Sequence, residues 1–275
     1  MVAALRQNRR VGRINQSRKP PFGSRVIPGH PLAPTHAYLF NEGGGSTIID
    51  SARAGHGYMH LPQYISWEAE GVRFAGNGSY ILLPLLPTIQ TSLEPHSYVI
   101  GMRREATSDT TYGTLLKKGT GTGNLMGYSL VRQAGVPANT WYPAYNTYTV
   151  ASTITAEVDY ILAYTVEGDD FSVTCTQKAW INGIQQTSDT GTGGGQGSGV
   201  SWYIGSAAGD HEFNGLITFV YLYDHALTEE QAVAVSRNPF CMFAPPRPRI
   251  VYSIPAGVTI KPWYYYQRNK MRRAS

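Results

Sequence analysis

Cysteine is scarce in this chain: Cys175 and Cys241 are the only two in 275 residues. No disulfide framework can therefore stand in for a hydrophobic core, and both read as free thiols. No apolar run approaches the roughly 18 residues of a membrane-spanning helix, so no membrane insertion is expected. The N-terminus is basic but lacks the apolar stretch of a secretory leader, which makes synthesis and assembly in a cytoplasm the expected route. Acidic residues are missing from both ends. None of the 18 occurs before Glu42 or after Glu230, whereas seven basic residues precede Glu42 and eight follow Glu230. The formal net charge of +5 thus conceals an acidic middle and two basic arms.

What the chain has in quantity is glycine, proline and tyrosine, at 30, 17 and 19 residues. That composition suits short strands joined by tight turns, and the length suits one domain of about 200 residues with appendages. Strand-like segments follow one another at 98–103, 113–117, 128–131, 145–151, 159–166 and 178–181, punctuated by Gly, Asn and Pro. Asn182-Gly183 is a hairpin signal. The most informative block runs from Trp202 to Glu230. Phe219, Tyr221 and Tyr223 lie in a run at period two, the pattern of a strand with one buried face. Thr228-Glu229-Glu230-Gln231 predicts a capping box opening a short helix, which Asn238-Pro239 ends.

The same block resembles the closing signature of laminin-G-like domains in the concanavalin A-like lectin/glucanase superfamily. Tyr203-Ile204-Gly205, Phe213-Asn214-Gly215-Leu216-Ile217, Val220, Tyr223, Ala226-Leu227-Thr228 and Glu230 carry the match. Two further stretches resemble the family's opening strands: 37–45 with Ile49-Asp50-Ser51, and Gly71 to Tyr80. The resemblance implies an all-β fold, a two-sheet antiparallel jelly-roll sandwich with one short helix near residues 228–236 and extended N- and C-terminal arms. The expected organisation is a basic arm over 1–36, the jelly-roll domain over 37–238 and a basic aromatic arm over 239–275.

The arms mix arginine with aromatic and aliphatic residues, a composition that needs a surface to pack on. Arg9, Arg10, Arg13, Arg18, Phe22, Arg25, Phe240, Phe243, Arg247, Arg249, Trp263, Tyr264, Tyr265, Arg268 and Arg272 are the expected partner contacts. Arg13-Ile14-Asn15, His30 to Ala33, Ser236 to Phe240 and Phe243-Ala244-Pro245 resemble the flanks of laminin-G-like virion proteins of tailed bacteriophages. That resemblance implies a non-catalytic virion structural protein, capsid-decorating or head- or tail-associated. Its arms would hold capsid or tail subunits, with copies forming a homo-oligomer and assembly in the host cytoplasm. Nucleic acid is a weaker partner, because no nucleic-acid-binding fold accompanies the charge.

The superfamily also contains glycoside hydrolases with the strand motif E-x-D-x-x-E. Glu157 and Asp159 match its first two acids, but Leu162 replaces the proton donor, so no catalytic residue is expected. Calcium, common in laminin-G-like domains, is not expected either, because Ser79 and Thr218-Phe219 replace acids of the family pattern while Asp50, Asp210 and Asp224 survive. His56 and His60 are four apart, yet Gly55, Gly57 and Pro62 oppose the helix that would pair them on zinc. One cluster, Trp141, Tyr142, Tyr145, Asn146 and Tyr148, mixes rings with an amide and is the expected glycan contact, a cell-surface sugar being the ligand class. A free carbohydrate-binding module is the alternative reading, and a glycoside hydrolase-like enzyme the third.

Overall fold

The computed structural model describes residues 19–52, 55–86, 95–105, 112–118, 126–131, 140–144, 148–167, 175–191, 201–206 and 212–245. In chain order its strands are β1 Arg25–Val26, β2 His36–Tyr38, β3 Thr47–Ile48, β4 Gly57–His60, β5 Ile65–Glu68, β6 Gly71–Ala75, β7 Tyr80–Leu83, β8 His96–Arg104, β9 Tyr112–Thr114 and β10 Leu116–Lys118. They continue with β11 Met126–Val131, β12 Thr140–Ala144, β13 Tyr148–Thr153, β14 Asp159–Glu167, β15 Cys175–Ile181, β16 Ile184–Gly191, β17 Trp202–Ile204, β18 Asn214–Tyr223 and β19 Phe243–Ala244. The helix α1 spans Glu229–Arg237.

Two antiparallel sheets form the sandwich. The larger runs β16-β15-β14-β8-β18-β6-β5, with β2 pairing the far end of β18, and the smaller runs β10-β17-β7-β4-β3. Between them lies the main core. Tyr98, Ile100, Met102, Leu162, Val220 and Leu222 from the larger sheet meet Ile81, Leu83, Trp202 and Ile204 from the smaller. The rings of Tyr98 and Trp202 bridge the two sheets edge to face, 5.5 Å between centroids, a geometry that adds to plain area burial. The jelly-roll sandwich is therefore as expected. A four-stranded sheet, β13-β12-β11-β9, stands apart, with β11 packed beside β10.

A second apolar cluster covers the outer face of the larger sheet. Val99, Ile161, Ala163, Trp180, Phe219, Tyr221 and Tyr223 point there and pack under Ala232 and Val235 of α1, Leu32, Phe240, Met242 and Phe243. This corrects the expectation that β18 has one buried face. Every residue from Gly215 to Tyr223 is buried, because the partner sheet covers one side and the helix and flanks cover the other. A register shift between Ile217 and Phe219 places Ile217 in the inner core and Phe219 in the outer cluster, although they are two apart.

Two local signals form as read. The Thr228 side chain accepts from the Gln231 amide, and the Gln231 side chain accepts from the Thr228 amide, a complete capping box. Asn182 and Gly183 both have positive φ, 52° and 73°, as a two-residue hairpin turn requires. The Asn182 carboxamide oxygen also accepts from the Ile161 amide at 2.8 Å, tying the turn to the neighbouring strand.

The described parts of the arms fold back on the sandwich. β1 pairs with β19, Ile27 N donates to Met242 O at 2.8 Å, and Asn41 donates from its amide to Pro20 O at 2.9 Å. Phe240 and Phe243 are buried in the second cluster, so in this fold they fill the protein's own core and present no partner anchor. Phe22 and Arg25 remain exposed. Arg9, Arg10, Arg13, Arg18, Arg247, Arg249, Trp263, Tyr264, Tyr265, Arg268 and Arg272 lie outside the described residues.

Candidate functional site

The outer face of the smaller sheet is built by alternation. In β4, Gly57 and Met59 are buried while Tyr58 and His60 are exposed; in β7, Ile81 and Leu83 are buried while Tyr80 and Leu82 are half-buried. In β17, Trp202 and Ile204 are buried and Tyr203 is half-buried. The register then assembles a row across the strands: Thr47 opposite Tyr58, Tyr58 opposite Leu82, Leu82 opposite Tyr203 and Tyr203 opposite Lys117. His60 sits opposite Tyr80 beside that row.

The rings touch. His60 stacks on Tyr80 with centroids 4.4 Å apart, and Tyr80 meets Tyr203 edge-on at 5.3 Å. Tyr58 is 58% exposed, so its ring is open to solvent. Burial and the neighbouring Tyr80 raise the phenol of Tyr203 above its ordinary value. At the β10 end the row closes, since Lys117 is buried. The open positions described in this row, Thr47, Tyr58, His60, Tyr80, Leu82 and Tyr203, are thus aromatic, aliphatic and hydroxyl groups, with apolar faces and polar rims. That combination can stack on a sugar ring and hydrogen-bond its hydroxyls.

The sequence-predicted glycan cluster lies on the four-stranded sheet. Trp141 pairs with Leu130 and Val150, Tyr142 with Ser129, and Tyr148 with Ala144, while Tyr145 and Asn146 lie outside the described residues. The outer-face row went unread in the sequence. Its signal was the alternation of Tyr58 and His60 with buried neighbours, and it needed the register of three strands remote in sequence.

The candidate acids are committed elsewhere. Glu157 sits in a turn at φ 59°, just before β14. Asp159 is buried and paired with Arg103 at 3.5 Å, and Arg103 also holds Glu70 at 3.1 Å. Arg73 pairs with both Glu68 and Glu105, and its bond to Glu68 raises the guanidinium value further. Leu162 is a core residue. Glu68, Glu70, Arg73, Arg103, Glu105 and Asp159 make an ion-paired outer surface on the larger sheet.

Among the described residues, the acids that survive from the family's calcium pattern are held by other partners. The Asp50 carboxylate accepts from the Ala37 amide at 2.9 Å, the Ala52 amide at 3.0 Å and the Gly55 amide at 3.3 Å, and from the His36 imidazole at 2.7 Å. Its lone pairs brace the turn after β3. Asp224 contacts His225, and Asp210 lies outside the described residues. Ser79 donates to Gly76 O at 2.9 Å. His56 accepts from the Asp50 amide at 3.1 Å while His60 stacks on the outer face, so the two serve separate contacts. Among the described residues no three His, Cys, Asp or Glu side chains converge as a metal site.

The family model described as the concanavalin A-like lectin/glucanases superfamily matches residues 76–233. The chain belongs to that superfamily. Among solved structures it is similar to the sialidase of Trypanosoma rangeli, at TM-score 0.57 and 16% identity, covering 75% of this chain and 33% of that one. The same sialidase in complex with sialic acid gives 0.58 and 15%, over 82% and 37%. Domain 4 of AbnA, a GH43 extracellular arabinanase from Geobacillus stearothermophilus, in complex with arabinotriose, gives 0.51 and 21%, over 78% and 98%. The chain thus spans about a third of the sialidases' length but nearly all of the arabinanase domain. At these identities the likeness is one of fold. No curated protein matches the chain in sequence. The expectation of a phage virion component is overturned: the solved structures named here are sialidases and a domain of an arabinanase, and the described flanks that suggested virion anchoring are part of the chain's own packing.

Proposed function

We propose that the chain is a non-catalytic carbohydrate-binding module of the concanavalin A-like type, with the face of Tyr58, His60, Tyr80, Leu82 and Tyr203 as its binding surface. The observation that carries this is the solvent-facing aromatic row on a sheet whose other face is fully used by the core. Aromatic side chains that expose a ring face and a polar edge suit sugars, which have an apolar face and hydroxyl rim of their own. Domain 4 of AbnA, held in complex with arabinotriose, is a module of the same architecture. Against catalysis stand the pairing of Asp159 with Arg103 and the burial of Leu162 where a proton donor would be needed.

A glycan array probed with the full chain tests the reading. Binding to a defined glycan is expected, reduced about tenfold or more by Tyr58→Ala and by Tyr203→Ala, a loss of about 1.4 kcal/mol or more, with circular dichroism unchanged. Trp141→Ala in the same assay measures any share taken by the four-stranded sheet. An array without ligands sinks the reading. Hydrolysis of a bound glycan that disappears in Glu157→Gln would sink its non-catalytic part.

A further inference from the structure

We infer that the aromatic row reads a neutral, extended oligosaccharide laid across the strands, about three sugars long, and does not read a single terminal sugar. This rests on the carbohydrate-binding reading above.

The register supplies the ruler. Tyr58 on β4 and Tyr203 on β17 both lie opposite Leu82, on strands either side of β7. Neighbouring strands are about 4.8 Å apart, which separates the Tyr58 and Tyr203 backbones by about 9.5 Å, about the length of two sugar units in an extended chain. The two tyrosines therefore support the first and third of three consecutive sugars, with Leu82 beneath the middle unit. Tyr80, stacked on His60 and touching Tyr203, stands alongside as a rim whose phenol and imidazole edges face the hydroxyls of the chain.

The same register bounds the row at both ends. It begins with Thr47 on β3, at the edge of the sheet, and stops at Lys117 on β10, which is buried. The open part crosses three strand spacings, about 14 Å, which accommodates about three sugars. Charge sets the class. The open positions Thr47, Tyr58, His60, Tyr80, Leu82 and Tyr203 include no arginine, lysine or carboxylate, whereas recognition of an anionic sugar draws on charge-assisted bonds from such cations.

Isothermal titration of the full chain with α-1,5-linked arabinose, β-1,4-linked xylose and β-1,4-linked glucose ladders, one to six units each, tests this beside the glycan array. For at least one ladder, affinity is expected to climb about tenfold or more from one unit to three. It should level off beyond about four units and hold at about 0.5 M salt, as expected without ion pairing. Tyr58→Ala and Tyr203→Ala should each remove most of the gain on going from one unit to three. Tyr58→Phe, which keeps the ring, should retain it. Equal affinity for one and three units overturns the inference, as do three blank ladders beside a positive array, or array ligands confined to terminal or anionic sugars. A dimer in light scattering that Tyr58→Ala dissociates would assign the face to a second copy and overturn it too. A blank array removes the underlying reading along with it, so the two failures are distinguishable.

Discussion

Gly205 answers to two constraints at once. Its φ of +88° is a conformation that L side chains rarely adopt, and a Cβ there would overlap the Phe74 ring in the main core. The amide of Phe213 donates to its carbonyl at 2.8 Å, so this turn also anchors the start of the last long strand. Gly205→Ala should therefore destabilise by about 2–4 kcal/mol, combining the left-handed penalty with overpacking. A urea midpoint within error of the wild type would contradict it. This glycine was legible in the sequence because the Tyr203-Ile204-Gly205 signature is local. The aromatic row was not, although Tyr203 belongs to the same signature. Tyr58, Tyr80 and Tyr203 come together only through the pairing of β4, β7 and β17, and period-two alternation says which residues share a face of one strand but not which strands are neighbours. The acid fragment at Glu157 and Asp159 lacks its third acid, Leu162 standing in that place. The structure adds what Asp159 does, which is to hold Arg103 at the edge of the ion-paired surface.

Among the elements, α1 and β18 show how far local rules reach. The helix boundary was legible to within a residue or so because a capping box is chemistry of four consecutive residues. Thr228→Ala removes the acceptor for the Gln231 amide and should cost about 1 kcal/mol, the usual value of such a cap. Ser and Asp at position 228 should retain most of the stability, and a thermal melt of the three variants checks the order. The loss should fall on the cover of the larger sheet, since Ala232 and Val235 of the helix pack on that face. β18 shows the opposite limit. Its apolar residues occur on both faces, so alternation between buried and exposed positions has nothing to report, and the shift at Thr218 breaks the period in the middle. Likewise the flanks around Leu32 and Phe240 to Phe243 read as arms because no local pattern names the surface they cover, which β8, β14, β15 and β18 build together. Their aromatic and aliphatic content was the correct sign that they pack on something, and that surface is their own domain.

Across the molecule, burial has shifted two lysines and several tyrosines in ways that give stability a distinctive alkaline profile. Lys19 donates from Nζ to the carbonyls of Phe40 and Glu70, at 3.0 and 2.7 Å, pinning the N-terminal flank to the sandwich. Burial lowers its ordinary value of 10.5 to about 8 despite the opposing pull of Glu42 and Glu70, and burial alone lowers Lys118, under whose ammonium the Trp202 ring lies, to about 8. Between about 8 and 10.5 the unfolded chain holds protons on these lysines that the folded chain has released, so folding stability rises with pH across that interval. Tyrosine acts in the other sense. Burial holds the phenols of Tyr38, Tyr98, Tyr221 and Tyr223 above 10.0, so their contribution is complete below that value and is lost above it, where the unfolded chain ionises first. Denaturant midpoints should accordingly rise from about pH 8, turn over near about pH 10 and fall beyond it. Lys19→Met should flatten part of the rising limb and leave the falling limb in place, because the tyrosines are untouched. A midpoint that declines steadily from pH 7 to 10, in the wild type and in Lys19→Met alike, would show that neither ammonium is buried as the fold places it.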